Sequence, residues 1–129
     1  MLVCIFMSTC IGTFLVNGMS GHVYFDSRAI RSFIYFAHSK KLWDAPGTLD
    51  SSLEVEIVDY RTMIATRVYQ GCVLNVFGER FWVNLVSIPL RGLKVILGVD
   101  WLGGNGAVID CERQLVRVRT LSGGELVIH

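Results

Sequence analysis

One stretch decides the fold of this chain: Val23-Tyr24-Phe25-Asp26-Ser27-Arg28-Ala29. Its first three residues favour a β-strand, and the strand carries Asp26 from a buried run to the start of a turn. A carboxylate in that place is held firmly and can still be reached by another molecule. The hydroxyl of Ser27 can donate a hydrogen bond to a carboxylate and accept one from the backbone. An ordinary strand end with common turn residues has the same pattern, so these residues alone leave both interpretations open.

Size and composition limit what the chain can be. Its 129 residues are enough for one domain, and 52% of them are hydrophobic, which suffices for a single core. The formal net charge of +1 and the scattered basic residues argue against a nucleic-acid surface, which needs clustered Lys and Arg. The four cysteines form no Cys-x-x-Cys pair and the three histidines show no ligand spacing, so we expect neither a metal nor a cofactor.

The cysteines also bear on the cellular compartment. Cys72 and Cys111 both lie in strand-like runs, where a reduced cysteine packs as a small apolar residue. We therefore expect a reducing compartment and an intracellular protein, in the cytoplasm.

The N-terminal residues 1–16 are apolar and uncharged. No Lys or Arg precedes Arg28, so the basic start of a secretory signal is missing. The run is shorter than the ~20 apolar residues of a membrane helix. We predict an apolar extension at residues 1–11, a domain at residues 12–129 and no membrane partner, and a targeting role for residues 1–11 stays open.

Most of the chain has the alternation of β-strands. Asn17-Gly18 favours a hairpin between a strand over residues 12–16 and the strand that ends at Asp26. Apolar residues at helical spacing predict a helix over residues 32–42 with Ser32 as its N-cap, and Asp100 is a candidate cap for a second, short helix. Further strands are predicted over residues 53–57, from 62, and over 73–77, 81–86, 93–98, 107–110, 115–119 and 125–128.

Three stretches together resemble a known family. They are residues 23–33, the run Val95-Ile96-Leu97-Gly98-Val99-Asp100-Trp101-Leu102 and the run Gly106-Ala107-Val108-Ile109-Asp110-Cys111. In order and spacing they resemble the retropepsin-like aspartic protease domain of gypsy-type retrotransposon polyproteins, from about Gly12 to the end of the chain. The resemblance implies the acid protease fold, which is mostly β: a single-lobe, closed β-barrel with one or two short helices.

The resemblance also implies roles for individual residues. Asp26 would be the catalytic carboxylate, one from each subunit, and Ser27 would support it with hydrogen bonds. The active-site loop and the strand that supports it would contribute four further residues: Arg28, Ala29, Leu97 and Gly98. In the family this glycine lets the acid loop lie against the strand, since a backbone can approach a glycine closely.

A flap that closes over a bound peptide is implied as well, at the tip between two alternating strands. Its residues would be Val58, Asp59, Tyr60 and Arg61. A flap tip usually needs glycine for its turn and its mobility, and this tip has none.

Catalysis in this family requires two facing carboxylates, and the chain contains one Asp-Ser-x-Ala pattern. The pattern is missing at the other aspartates: Asp44, Asp50, Asp59, Asp100 and Asp110. The resemblance therefore implies a homodimer, in which two copies of Asp26 meet across a two-fold axis and act on a peptide or polyprotein substrate.

One residue departs from the family motif, which reads Asp-Ser/Thr-Gly-Ala. Arg28 occupies the glycine position, so a long side chain lies beside the partner loop and the peptide. A cation within ~4–6 Å of a carboxylate favours its ionised form, and a positive φ at this turn would add strain of ~1–3 kcal/mol. Two hypotheses follow: an active homodimeric aspartic endopeptidase that cuts a retroelement polyprotein, or a catalytically inactive dimerisation or peptide-binding module.

Overall fold

The computed structural model describes residues 2–5, 9–35, 47–56, 62–88 and 94–129. Its elements, in chain order, are β1 Val3–Ile5, β2 Thr9–Val16, β3 Met19–Asp26, β4 Phe33–Tyr35, β5 Gly47–Glu56, β6 Thr62–Val76, β7 Glu79–Ile88, β8 Lys94–Leu97, α1 Val99–Gly104, β9 Val108–Asp110, β10 Leu115–Arg119 and β11 Glu125–Ile128.

The hairpin of β2 and β3 brings Asp26 to the end of a buried strand, as the sequence predicts. Asn17 and Gly18 have φ angles of 47° and 81°, the left-handed pair that a tight hairpin turn requires. The side chain of Asn17 also accepts a hydrogen bond of 2.7 Å from the backbone of Val73, which ties the turn to β6. The strand predicted over residues 12–16 is longer in the structure. This strand, β2, begins at Thr9, because its ladder with β3 continues until Thr9 pairs with Asp26.

Six strands close into a barrel, which confirms the predicted fold class. The larger sheet has the order β1-β2-β3-β8-β4-β7-β6-β5, and a second pairing between β2 and β6 completes the ring. Strands β3 and β8 run parallel, with Phe25 opposite Leu97. The acid-bearing strand therefore lies inside the sheet, with a hydrogen-bonded neighbour on each side.

The helix predicted from Ser32 is wrong at its start. Residues 33–35 form β4, which pairs with β8 on one side and with β7 on the other. Ile34, in the middle of β4, is fully buried. Pairing with two strands outweighs the helical spacing of the apolar residues, because local propensity is weaker than a buried ladder. Residues 36–42 of the predicted helix lie outside the described residues.

The described residues contain one helix, α1, and its N-cap differs from the predicted one. The N-cap is Gly98, two residues before the predicted cap Asp100, which instead lies in the first turn of the helix. From there α1 directs Trp101 into the barrel.

An aromatic cluster fills the barrel beneath the acid-bearing strand. The ring of Trp101 lies 6.0 Å from that of Phe25 and 5.6 Å from that of Phe81, and Phe14 contacts Phe25 edge-on. Such tilted and edge-to-face pairs stabilise a core beyond the area that they bury. The smaller sheet, β9 to β11, adds three buried apolar residues to the same core: Val116, Val118 and Ile128.

Cys72 and Cys111 are free thiols, whereas Cys10 is disulfide-bonded, which runs against the reducing compartment predicted from the sequence. The Cys72 thiol is buried in β6 and donates to the carbonyl oxygen of Tyr69 at 3.5 Å. Burial raises the pKa of Cys72 to about 11, although a hydrogen bond with the side chain of Asn17 acts in the opposite direction. At neutral pH this thiol is therefore almost entirely protonated.

This shift predicts slow alkylation of Cys72. At pH 8 its thiolate fraction is roughly 200-fold below that of an ordinary thiol. We expect iodoacetamide labelling, mapped by mass spectrometry, to be slower by at least that factor than in urea, and to accelerate about tenfold per pH unit up to pH 11. The folded state binds this proton more tightly than the unfolded state does. The free energy of unfolding therefore falls as the pH rises from about 9 to about 11. Equal labelling in the native and the urea-unfolded chain at pH 8 would contradict the assignment.

Candidate active site

Asp26 is the last residue of β3, and the strand ends there because the chain turns away from the sheet. Its side chain is 19% exposed, so the carboxylate is largely enclosed and still accessible. The backbone N–H of Arg28 donates to Oδ1 of Asp26 at 2.9 Å, and the N–H of Ala29 donates to the carbonyl oxygen of Asp26 at 3.3 Å. These two bonds make a turn that fixes the direction of the carboxylate.

The side chain of Arg28 lies against this carboxylate. Its Nε is 3.5 Å from Oδ1 of Asp26, and its Nη2 is 3.5 Å from the hydroxyl of Thr9. The side chain is 60% exposed, so water screens the ion pair in part. The guanidinium therefore lies over the acid and bridges β3 to β2.

The backbone of Arg28 carries no left-handed strain. The described non-glycine residues with positive φ are Asn17, Phe77 and Gln114, and Arg28 is absent from this set. The cost that a positive φ would add at this turn does not arise, so the influence of Arg28 is confined to its side chain. Ser27 and Arg28 are exposed and Ala29 is half-buried on the same loop.

Gly98 is the point at which the loop rests on β8, and it follows Leu97, which is fully buried. A Cβ atom on Gly98 would lie 2.6 Å from the carbonyl oxygen of Ala29 and closer still to that of Arg31. The N–H of Val99 donates to the same Ala29 oxygen at 2.8 Å. A side chain at residue 98 would therefore separate the acid loop from its support.

A second polar link joins the loop to α1, and the sequence analysis missed it. The hydroxyl of Ser32 lies 2.7 Å from Oδ1 of Asp100 and accepts a 3.0 Å hydrogen bond from the N–H of Gly98. The N–H of Ser32 donates to Oδ2 of Asp100 at 3.2 Å. Both residues were recognised as capping types, but they are 68 positions apart, and local spacing gives no signal that they meet.

Removing this hydroxyl should destabilise the domain. Ser32 is fully buried, so in Ser32→Ala the Gly98 N–H loses its acceptor and the Asp100 carboxylate loses a donor. We expect a loss of ~2–3 kcal/mol in the free energy of unfolding, measured by urea denaturation. Ser20→Ala, at an exposed position of β3, is the matched control and should stay within ~0.5 kcal/mol of wild type. Equal stability of the two variants would show that the link contributes nothing.

The residues assigned to the flap, Val58, Asp59, Tyr60 and Arg61, lie outside the described residues. Strands β5 and β6 on either side of them are antiparallel, with Glu56 opposite Thr62. The strands that flank the predicted flap are therefore paired with each other, and the flap itself stays a prediction.

The described part of the chain brings no three His, Cys, Asp or Glu side chains together in an arrangement that could hold a metal ion. It also contains no helix with the length and apolarity needed to cross a membrane.

The family of the chain follows from its similarity to known proteins. A search of curated proteins finds no match to the chain. The family model described as retroviral aspartyl protease matches residues 7–123, a span that includes the Asp26 loop, the β8 strand with Gly98, and helix α1. Because this match covers most of the sequence, the chain belongs to the retroviral aspartyl protease family.

Proposed function

We propose that the protein is an aspartic endopeptidase that hydrolyses peptide bonds as a homodimer, with one Asp26 from each subunit. The observation that carries this proposal is the placement of Asp26: a strand end, an accessible carboxylate oriented by a backbone N–H, and a loop that rests on Gly98. This combination gives the rigid but reachable acid that the chemistry needs.

A second acid is hard to supply from the described part of the same chain. Asp100 is hydrogen-bonded to Ser32 beside the loop, but both of its oxygens already accept hydrogen bonds from Ser32, and Oδ1 also accepts one from the N–H of Trp101. A twin copy of Asp26 is the better candidate. Exposed apolar side chains beside the acid loop support such a pairing: Ile30 is 81% exposed and Val99 is 49% exposed. Covering them would favour association.

In the dimer, the two carboxylates would share one proton, as in aspartic proteases generally, because two like charges so close together do not both ionise. The ionised Asp26 would take a proton from a water molecule, which attacks the peptide carbonyl. The protonated Asp26 would donate to the carbonyl oxygen. Ser27 would support the carboxylate with hydrogen bonds, and the flap would exclude bulk water.

The substrate would be an extended segment of a polyprotein, and we assign that polyprotein to a gypsy-type retrotransposon in the cytoplasm. Arg28 would restrain the activity, because its guanidinium lies 3.5 Å from the Asp26 carboxylate and fills space that a glycine would leave for the partner loop and the peptide. The expected enzyme is therefore slow, with an intact site.

The experiment is hydrolysis of a peptide library by the full chain at mildly acid pH, with and without a pepstatin-like inhibitor. We expect weak cleavage that the inhibitor blocks and that Asp26→Asn abolishes. Asp110→Asn, which changes an acid of β9 outside the loop, is the matched control and should retain the wild-type rate. Cleavage that survives Asp26→Asn would rule out the proposed mechanism.

The contact between Arg28 and Asp26 also favours a second candidate, a catalytically inactive dimerisation or peptide-binding module. A permanent ion pair would occupy the carboxylate that catalysis needs. Analytical ultracentrifugation together with the cleavage assay separates the two candidates. A dimer with no cleavage in the wild type or in Arg28→Gly supports the module, and cleavage by the wild type excludes it.

A further inference from the structure

We propose that the pocket between β7 and α1 binds an arginine side chain of a partner protein. The pocket has a volume of about 300 Å³, which is in the lower range of ligand sites. Its lining comes from β7 and from α1 with the residue that follows it: Trp82, Val83, Asn84, Asp100, Trp101, Gly104 and Asn105. The proposal goes beyond peptide hydrolysis and does not depend on the state of Asp26.

Charge complementarity is the first argument for a cationic occupant. Asp100 is the one charged residue in the described lining, and its side chain is exposed. The ion pairs within the described residues join Arg28 to Asp26 and Arg113 to Asp110, and neither includes Asp100. Hydrogen bonds from Ser32 and from the N–H of Trp101 hold the carboxylate in place. The pocket therefore presents a fixed negative charge with no described cation beside it.

The aromatic wall is the second argument, and it favours arginine. Trp82 is 57% exposed, although it is a large apolar residue on a strand. Tryptophan provides the best aromatic face for a cation, and the planar, weakly hydrated guanidinium stacks on such a face better than an ammonium does. Arginine also has five N–H donors to satisfy.

One of the two asparagines of the lining fits that need. Asn105 donates through Nδ2 to the carbonyl oxygen of Trp101 at 2.8 Å, so its Oδ1 is the end left as an acceptor. Asn84 is held by a 2.9 Å hydrogen bond from the N–H of Gly71 to its Oδ1. One carboxylate, one amide oxygen and one indole face together match a guanidinium.

The test uses the ¹⁵N-labelled full chain, titrated with Nα-acetyl-arginine methylamide and followed by NMR. We expect saturable shifts of the side-chain amides of Asn84 and Asn105. The backbone N–H of Ser32 should shift with them, because it donates to Asp100. The lysine analogue should bind at least about fivefold more weakly, and the neutral citrulline analogue at least about tenfold more weakly.

Two variants with matched controls locate the site. Trp82→Val keeps a strand-forming residue at an exposed position and should weaken binding about tenfold. Phe77→Asn removes another exposed aromatic side chain, outside the pocket, and should leave binding unchanged. Asp100→Asn should weaken binding at least tenfold, whereas Asp110→Asn should not.

Several outcomes would overturn the proposal: no saturable binding, equal binding of arginine and citrulline, equal binding of arginine and lysine, or shifts confined to the Asp26 loop. None of these outcomes bears on peptide hydrolysis. The cleavage assay with Asp26→Asn can fail or succeed independently, so the two proposals are separable.

Discussion

Replacing Arg28 by glycine is expected to raise the rate of peptide hydrolysis about 5- to 30-fold. In the dimer, two guanidinium groups would lie beside the acid pair, each about as close to its carboxylate as the 3.5 Å seen in one chain. A unit charge pair at ~4 Å near a protein surface interacts by up to ~4 kcal/mol. The Arg28 side chain is 60% exposed, so screening reduces this value considerably. A remaining ~0.5–1 kcal/mol for each pair, or ~1–2 kcal/mol for the two pairs of a dimer, corresponds to that gain in rate.

Initial rates of peptide cleavage at matched dimer concentration would measure this effect. Arg31→Gln is the matched control, because it removes a cation from the same loop without removing a described contact to Asp26. Its rate should stay within about twofold of wild type. Arg28→Lys keeps the charge and should remain slow. A dimeric Arg28→Gly variant with no gain would count against inhibition by the guanidinium and in favour of the inactive module.

Replacing Gly98 by alanine is expected to destabilise the domain severely. The added Cβ would meet the carbonyl oxygens of Ala29 and Arg31, which are backbone atoms of the acid loop and cannot rotate away. We expect a loss of about 4 kcal/mol or more in the free energy of unfolding, a large part of the stability of a small domain. Urea denaturation followed by circular dichroism would measure it.

The control for this variant is Gly103→Ala in α1. No atom lies within 4 Å of a Cβ at that position, and its φ is not left-handed. Alanine should therefore stabilise the helix by up to ~1 kcal/mol, since glycine is the poorer helix former. If Gly98→Ala were as stable as Gly103→Ala, the close approach of loop and strand would be refuted.

Much of this fold could be predicted because its strongest signals are local. Asn17-Gly18 identifies the hairpin that carries Asp26, and the left-handed φ angles of the two residues explain why that pair is informative. Gly98 is recognisable because a buried strand ends in a residue without a side chain. The strand predicted over residues 73–77 ends one residue earlier, at Val76, because Phe77 and Gly78 are the two left-handed residues of the next turn, although a phenylalanine rarely occupies that conformation.

The parts that could not be predicted depend on contacts between distant segments. Residues 33–35 have helical spacing, yet β7 and β8 provide partners on both sides and the segment becomes a strand. Ser32 and Asp100 each fit a local capping role, yet they bind each other across 68 positions. The position of the Arg28 side chain depends likewise on Thr9, which is 19 positions away. Local pattern carries no information about such pairings.

The parallel ladder between β3 and β8 has a consequence for the order in which the chain assembles during translation. The hairpin of β2 and β3 can form early, but the neighbour on its other side is synthesised about 70 residues later, so closing this long loop is entropically costly. Until β8 emerges from the ribosome, the acid-bearing strand exposes an unpaired edge to the solvent. A nascent chain that stops before Lys94 lacks the strand against which the acid loop packs. The proposed active site can therefore form only when synthesis of the domain is nearly complete.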